Sequence, residues 1–174
     1  MLDLGCGNGD LLAALVKEKQ VRAQGIEIDE KAIYECVAKG LSVIHQDIET
    51  GLSEYRDKSF DYVILAGSLQ QVKKPDLVVG AALRVGKKAI IGFTNFGHYQ
   101  VRLQILFGGK VPVTPSLPFE WYDTPNLHFL SISNFIEYCE KRKFRIERSA
   151  FLARGRVSTL PNLRAESALF LVSN

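Results

Sequence analysis

The chain has 174 residues, a length typical of one globular domain. Its 47% hydrophobic and 24% charged residues are close to the averages of folded proteins, which excludes a disordered or fibrous chain. Twenty-two lysines and arginines against nineteen acidic residues leave a net charge of +3, too small to indicate a dedicated polyanion binder.

Targeting signals, membrane spans, disulfides and metal sites are not indicated by the sequence. No run reaches the roughly 18 apolar residues of a membrane-spanning helix, and the N-terminus lacks the pattern of a secretion signal. Cys6, Cys36 and Cys139 are odd in number and widely spaced, and the three histidines do not have metal-ligand spacing. We therefore expect a cytoplasmic protein with free thiols, no bound metal and no contact with membranes.

The first half of the chain alternates predicted strands with predicted helices. Residues 1–4 predict the end of a strand, and a glycine-rich turn leads into a helix that has Asp10 as its N-cap and closes over 17–20. Further strands are predicted over 21–28, 41–48, 60–65 and 88–93, and helices over 30–39 and 75–85. Such alternation is typical of a doubly wound, mostly parallel α/β sheet, whose ligands lie at the carboxyl ends of the strands.

The second half departs from this alternation. A Gly-, Pro- and aromatic-rich insertion follows the fifth strand over 94–128 and contains one helical patch around 101–107. Long loops in compact domains are usually lids or binding surfaces, so we expect a lid or a partner-binding surface here. A capped helix over 133–143 and strands over 144–151 and 165–172 complete a single domain that spans residues 1–174.

The first strand is shorter than a central strand, which has about five residues or more. We therefore expect that an upstream helix and half of this strand are missing from the sequence, so that the fold is N-terminally truncated. Such a truncation lowers the stability of the domain.

Three glycines, Gly5, Gly7 and Gly9, lie between the first strand and the first helix, and Glu27 ends the second strand twenty residues after Gly7. Glycines let the main chain approach a ligand, and a carboxylate at that strand end accepts hydrogen bonds from ribose hydroxyls. Asp10 replaces the third glycine of the dinucleotide fingerprint and opposes a pyrophosphate, and no P-loop Gly-Lys-Ser/Thr is present. The pattern indicates a phosphate-free nucleoside cofactor; a purely structural turn is the alternative.

The segment Leu2-Asp3-Leu4-Gly5-Cys6-Gly7-Asn8-Gly9 resembles the first motif of the class I S-adenosylmethionine-dependent methyltransferases, which have a Rossmann-like fold. The resemblance implies S-adenosylmethionine or S-adenosylhomocysteine as the cofactor. It assigns the amino-acid end of the cofactor to Asp3, the methionine part to the three glycines, the ribose to Glu27 with Ile28 beside it, and adenine to Asp47 with Ile48 beside it. Asp29 is better explained as the N-cap of the next helix.

A closer resemblance extends from the first residue to the last. The segments that carry it are Arg84–Ile91, Asn95–Tyr99, Val101–Gln104 and Leu117–His128, which are similar to the methionine-biosynthesis protein family MetW. The resemblance implies a role in methionine synthesis at the homoserine O-acylation step, beside a homoserine O-acyltransferase of the MetX type. It leaves open whether the chain methylates an unidentified small molecule or is an accessory protein that senses the cofactor and docks the acyltransferase.

Candidates for contact with a methyl acceptor follow the fourth and fifth strands. Methyl transfer mainly requires the acceptor, methyl carbon and sulfur to be held in line, so a catalytic triad is not needed. The candidates are His98, Tyr122 and Gln70, together with Ser68 and Gln71. Glu120–Asp123 is a candidate lid, although the aromatic residues and histidines of this region also fit structural roles.

Seven basic residues cluster near the C-terminal end of the chain. They are Lys141, Arg142, Lys143, Arg145, Arg148, Arg154 and Arg156. Such a cluster suits RNA, phosphate or an acidic partner, but cations at a helix C-terminus and on solvated strand faces explain it as well. Because no aromatic residues alternate with these charges, the pattern disfavours nucleic acid as a partner.

Overall fold

A computed structural model describes residues 1–174 as seven strands, six helices and one 3₁₀ turn. The strands are β1 (Leu2–Leu4), β2 (Gln24–Glu27), β3 (Val43–His45), β4 (Phe60–Ala66), β5 (Gly86–Thr94), β6 (Arg145–Leu152) and β7 (Ser167–Ser173). The helices are α1 (Asp10–Lys19), α2 (Glu30–Ala38), α3 (Pro75–Val85), α4 (Tyr99–Gly108), α5 (Ile132–Arg142) and α6 (Pro161–Arg164). None of these helices has the length and apolar character needed to cross a membrane.

The strands form one sheet in the order β3-β2-β1-β4-β5-β7-β6. The first five strands are parallel, and β7 lies antiparallel between β5 and β6. The chain moves outward from β1 to β3, returns to β4, and then moves outward in the opposite direction. Right-handed crossovers in opposite directions place α1 and α2 on one face and α3 on the other. The predicted doubly wound, mostly parallel α/β fold is confirmed, and its direction reverses between β1 and β4.

The main hydrophobic core lies between the sheet and helices α3 and α5. Its aromatic centre consists of Phe93, Phe135 and Phe170, with ring centroids 5.2, 5.9 and 4.8 Å apart. From α3, Val79 and Leu83 pack into the same cluster and are buried. Burying one such side chain stabilises the fold by about 1.5–3 kcal/mol. This core therefore holds β4 and β5 firmly, and the carboxyl ends of both strands lead into functional loops.

Helix starts agree with the sequence to within about two residues, but one predicted cap is wrong. Asp29 caps α2, as predicted, and a capping box at Ser131 starts α5 one residue before its predicted start. The prediction of Asp10 as the N-cap of α1 is wrong, because Gly9 occupies the N-cap position with φ 79° and Asp10 is the first helical residue. The carboxylate of Asp10 instead pairs with Lys39 at 2.6 Å. A glycine loop that runs directly into a helix leaves no side chain to cap it.

The structure also contains two short elements that the sequence did not predict. These are the 3₁₀ turn at Gly51–Glu54 and the one-turn helix α6. Elements of four residues are too short to show a hydrophobic period, so pattern reasoning passes over them. Both α3 and the helical patch of the insertion are confirmed, the first with the predicted bounds.

Candidate functional site

A cleft of about 580 Å³ opens at the carboxyl ends of β1 to β4, where the chain direction reverses. Sheets of this type bind their ligands at this point. The cleft is lined by Gly5, Gly7, Glu27, Ile28, Gln46, Asp47, Ile48, Glu49, Ala66, Gly67, Ser68, Gln71, Val72 and Lys73. Three carboxylates against one lysine give the wall a net negative charge, which favours a cationic ligand over a phosphate. A larger hollow of about 840 Å³ at the opposite ends of the strands contains none of the predicted site residues.

The three predicted glycines all have positive φ, but for different structural reasons. A Cβ on Gly5 would lie 2.9 Å from the Cβ of Ser68, and a Cβ on Gly9 would lie 2.6 Å from the Cδ1 of Leu41. A Cβ on Gly7 would meet no protein atom within 4 Å. Packing therefore excludes a side chain at the first and third glycines, whereas the second leaves open space at the cleft wall. Gly9 does not line the cleft and serves as the N-cap of α1.

Glu27 ties the glycine loop to the start of α2. Its Oε2 accepts a hydrogen bond from the main-chain N of Gly7 at 2.8 Å. Its Oε1 accepts hydrogen bonds from the main-chain N of Ile28 at 2.7 Å and of Asp29 at 3.0 Å. A carboxylate has about four acceptor positions, so at least one remains for a ligand hydroxyl. The arrangement can accept a hydrogen bond from one ligand hydroxyl while it keeps the loop in place.

The adjacent strand contributes a second carboxylate to the cleft. Oδ1 of Asp47 accepts a hydrogen bond from the main-chain N of Glu49 at 2.8 Å, and Oδ2 makes no hydrogen bond within the protein. Ile28, 62% exposed, and the half-buried Ile48 line the cleft beside the two carboxylates. The apolar side chains can contact a flat base, and the free carboxylate oxygen can accept a hydrogen bond from its amino group.

Asp3 lies beneath the cleft rather than in its wall. The side chain belongs to β1 and the residue is 3% exposed. Burial, with a smaller contribution from the negative charge of Glu27, raises the pKa of Asp3 to about 6. A buried carboxylate of this kind is stabilised in its ionised form by a nearby cation, which is what the ammonium end of an amino acid provides.

The loop after β4 faces two directions. Ser68 and Gln71 line the cleft, as expected for acceptor contacts, but Gln70 does not. Gln70 is 2% exposed, its Oε1 accepts a hydrogen bond from the main-chain N of Thr94 at 2.9 Å, and its Nε2 donates to the carbonyl of His128 at 3.3 Å. Its amide group is therefore already bonded to the two ends of the insertion.

His98 and Tyr122 also lie away from the cleft, since no residue between 94 and 128 lines it. His98 is 3% exposed at the N-cap of α4, and burial lowers the pKa of its imidazole. Tyr122 is 70% exposed and contacts the ring of Trp121 edge-on, with centroids 5.6 Å apart. The structure brings together six of the eight predicted cofactor residues and two of the five acceptor candidates, Ser68 and Gln71, but not Gln70, His98 or Tyr122.

Asn95 organises the base of the insertion, a role that sequence reasoning missed. The residue is fully buried, and its Nδ2 donates to the carbonyls of Ala165 at 2.7 Å and Asn162 at 3.1 Å. Its Oδ1 accepts hydrogen bonds from the main-chain N of Gly97 at 3.0 Å and of Ile132 at 3.2 Å. Every polar group of this amide is satisfied, so it joins β5, α5 and α6. The sequence signal was only an amide directly after a buried strand.

The outer part of the insertion exposes much apolar surface. Nine of the exposed side chains in it are Leu103, Ile105, Leu106, Phe107, Val111, Val113, Phe119, Trp121 and Tyr122, between 38% and 81% exposed. Residues 99–119 contain two basic side chains and no acidic one. Gln104 fastens the segment after α4 through two hydrogen bonds of 3.0 Å to the main chain of Val113. The apolar surface is thus held in a defined shape rather than being a loose chain.

The basic cluster is partly neutralised where it meets α5. Arg142 pairs with Asp76 of α3, and Lys141 pairs with Glu137 at 2.6 Å within the helix. Both cations lie in the last turn of α5, where the helix dipole favours positive charge. The local structure accounts for these two residues without a polyanionic ligand.

Comparison with known proteins gives a family match and a fold match. The model of the family described as methionine biosynthesis protein MetW matches residues 1–172. The bifunctional methionine biosynthesis protein MetXA/MetW of Rhodopirellula baltica is 33% identical over 183 aligned positions, which cover 97% of this chain. They cover 29% of that protein, so the chain spans less than a third of this relative.

Solved structures with the same fold are more distant in sequence. A SAM-dependent methyltransferase from Archaeoglobus fulgidus has a TM-score of 0.73 at 18% identity, covering 99% of this chain and 85% of the other. The plantazolicin methyltransferase BamL, in complex with a substrate analogue and SAH, has a TM-score of 0.66 at 16% identity, with 99% and 76% covered. The [4+2]-cyclase SpnF has a TM-score of 0.68 at 14% identity, with 99% and 74% covered. The fold is that of the class I methyltransferases, and the chain belongs to the MetW family of methionine-biosynthesis proteins.

Proposed function

We propose that the cleft binds S-adenosylmethionine or S-adenosylhomocysteine and that the protein acts at the homoserine O-acylation step of methionine synthesis, together with a MetX-type homoserine O-acyltransferase. The observation that carries the proposal is the relative in which a MetW region and a MetXA region form one chain. Two proteins that function together are often joined in this way, because fusion raises the effective concentration of each for the other.

The cleft residues fit such a cofactor. Glu27 would accept a hydrogen bond from a ribose hydroxyl, the free Oδ2 of Asp47 would accept one from the adenine amino group, and the open space at Gly7 would admit the methionine part. Asp3 supplies negative charge below the glycine loop. When bound, S-adenosylmethionine supplies a methyl group activated by its sulfonium. The excess of carboxylates in the wall suits that positive charge.

Calorimetry with S-adenosylhomocysteine tests the cleft. We expect saturable binding with one site per chain. The absence of heat at ligand concentrations well above those typical of cofactor sites contradicts this part of the proposal. The titration is repeated with adenosine, which lacks the amino-acid part, to separate the contribution of the ribose and base from that of the ammonium end.

The exposed apolar surface of the insertion is the proposed docking surface for the acyltransferase. Leu106 and Phe107 of α4 are 73% and 81% exposed, and Trp121 is 68% exposed. Contiguous apolar patches of this kind are uncommon on monomers and mark protein interfaces, in whose centres aromatic residues are enriched. A mainly apolar partner face complements it, because the charges of this surface, those of Arg102, Lys110, Glu120 and Asp123, cancel.

Co-purification and acylation rates test the partner. We expect the acyltransferase to bind the wild-type protein and its rate of homoserine acylation to change on addition of that protein. Leu106→Glu should abolish binding, whereas Leu77→Glu on α3, at a leucine that is 60% exposed, should not. No association and no change in rate with the wild-type protein contradict the partnership, and equal binding by both variants contradicts only the surface.

A second candidate function is methyl transfer to a small molecule. It is favoured by Ser68 and Gln71, which line the cleft from the loop after β4, next to where an acceptor would meet the methyl group. The fold alone does not show whether the protein transfers a methyl group, since a cyclase has the same fold as methyltransferases. Formation of S-adenosylhomocysteine from S-adenosylmethionine in the presence of homoserine, its acyl esters or a metabolite extract tests this function. No formation above the rate in buffer counts against it.

A further inference from the structure

The segment between β4 and α3, residues 67–74, contacts both the cleft and the insertion. Ser68 and Gln71 lie in the cleft wall, while Gln70 points away from the cleft and is buried. Gly67 begins the segment with φ 93°, and a Cβ there would meet no atom within 4 Å. One short segment therefore has a ligand-facing side and a side that faces the insertion.

The ligand-facing side is fastened at both ends to elements of the cleft. The Oγ of Ser68 donates a hydrogen bond to the carbonyl of Leu4 at 2.7 Å, and its Cβ leaves no room for a side chain on Gly5. At the other end, the main-chain N of Lys74 donates to Oε1 of Glu49 at 2.7 Å. Glu49 is in turn bonded to Asp47 through its main-chain N. The segment is thus in direct contact with β1, the glycine loop and the loop after β3.

The other side bonds both ends of the insertion through one residue. The side chain of Gln70 bonds the main-chain N of Thr94 and the carbonyl of His128. Its own carbonyl accepts hydrogen bonds from the main-chain N of Leu127 at 2.8 Å and of His128 at 3.1 Å. Gln70 donates one hydrogen bond and accepts three, and these four bonds fix the positions where the insertion leaves the domain and where it returns.

We infer that residues 67–74 couple ligand binding in the cleft to the conformation of the insertion, with Gln70 as the positioning residue. The inference rests on the proposed function, in which the cleft binds the cofactor and the insertion docks the acyltransferase. Packed interiors pass on displacements because they contain few voids. A ligand that closes the glycine loop moves Ser68, and Gln70 follows because it is two residues away in the same short segment. By linkage, the partner changes the affinity for the ligand by the same factor.

Amide hydrogen exchange tests the coupling without the partner. The measured amides are those of Thr94, Leu127 and His128, followed by NMR in wild-type protein with and without S-adenosylhomocysteine. We expect exchange to change by about fivefold or more at saturation, the lower end of measured couplings between sites. Gln70→Met removes the side-chain bond to the main-chain N of Thr94 and keeps the main-chain carbonyl that bonds Leu127 and His128, so this variant should still bind the ligand but lose the response at Thr94. Gln104→Met removes the same number of side-chain hydrogen bonds from the insertion without touching residues 67–74, and should keep the response.

Each outcome decides the inference. Binding of S-adenosylhomocysteine with no change of exchange in the wild-type protein overturns it, and so does an unchanged response in Gln70→Met. Where Gln70→Met does not fold, Ser68→Ala takes its place, because it cuts the bond to Leu4 and should at least halve the response. Failure of the ligand to bind overturns the proposed cleft and the coupling together. Binding without coupling leaves the proposed function standing.

Discussion

The glycine loop and the insertion both leave the carboxyl end of the sheet, but different groups hold them in place. The glycine loop is held through its own main chain: Gly5 and Cys6 donate hydrogen bonds to the carbonyl of Ile26, and the main chain of Gly7 and Asn8 is bonded by the side chains of Glu27, Cys36 and Lys39. The insertion is held at its base by two buried side-chain amides, those of Gln70 and Asn95. Its outer part then exposes apolar side chains to solvent.

This difference suits the proposed roles of the two regions, a cleft that admits a ligand and a surface that binds a partner. A ligand can approach main chain only where side chains are absent, so the cleft needs glycine at defined positions. A protruding segment loses conformational entropy when it is ordered, about 1–2 kcal/mol per residue for the backbone. Buried amides at its base stabilise the ordered form at a few residues and leave the outer surface free for contacts.

The strongest test of the comparison is the base of the insertion. Asn95→Leu leaves four buried main-chain groups without a partner. We expect the free energy of unfolding to fall by about 4 kcal/mol, because each unsatisfied buried polar group costs roughly 1–3 kcal/mol and some of them regain water. Urea unfolding followed by circular dichroism measures it. Gln104→Leu, which removes two exposed hydrogen bonds, should lower the free energy of unfolding by only about 1 kcal/mol. Equal losses in the two variants would show that the buried hydrogen bonds of Asn95 stabilise the fold no more than exposed ones.

A second test compares two glycines of the glycine loop, of which only Gly7 lines the cleft. Gly9→Ala forces a Cβ against Leu41 and Cys36 at 2.6 and 2.7 Å in a left-handed backbone conformation, so we expect about 3 kcal/mol lower stability. Gly7→Ala meets no protein atom and should cost only about 1 kcal/mol of backbone strain. The affinity for S-adenosylhomocysteine should fall mainly in the second variant. Thermal unfolding and calorimetry give both quantities, and a reversed pattern would place the ligand elsewhere.

The carboxylate that joins the loop to the ligand gives the third test. Glu27→Ala should weaken binding of S-adenosylhomocysteine by about 1–3 kcal/mol, roughly 5- to 150-fold, because a ribose hydrogen bond to a charged group and the support of Gly7 are lost. Asp29→Ala removes the N-cap of α2 two residues away and should cost about 1 kcal/mol of stability with unchanged affinity. Calorimetry on the two variants checks this, and unchanged affinity in Glu27→Ala removes that residue from the site.

The smallest expected effect is the pH dependence that Asp3 gives to the stability of the fold and to the affinity for the ligand. Its pKa is raised from 3.8 to about 6 in the folded protein, so the folded state binds this proton more tightly than the unfolded chain. The stability from this group is therefore fully present below about pH 4 and is lost as pH rises through about 6. Affinity for the ammonium-bearing ligand should move the opposite way and increase about tenfold between pH 5 and 7. Calorimetry across this range should show a flat profile in Asp3→Asn, and an equal slope in both proteins refutes the assignment.

The difference between the glycine loop and the insertion also determines how much of each region the sequence predicts. The sheet, the glycine loop and the strand-end carboxylates have periodic or positional signals, so the fold and the membership of Glu27 and Asp47 in one cleft wall were accessible in advance. The side chains of Gln70 and Asn95 bond main-chain groups far along the chain, and such partners leave no local pattern. His98 and Tyr122 were placed near an acceptor by their position after β5, but chain position does not fix the direction in which a long insertion projects.

One feature of the insertion provides an optical signal. The chain contains a single tryptophan, and that residue, Trp121, is 68% exposed beside Tyr122. Excitation at wavelengths that tyrosine does not absorb therefore reports on this one location, with no background from the core. A blue shift of the emission when a partner is added would mean that the indole has left water, and titration of that shift would yield the affinity without any label.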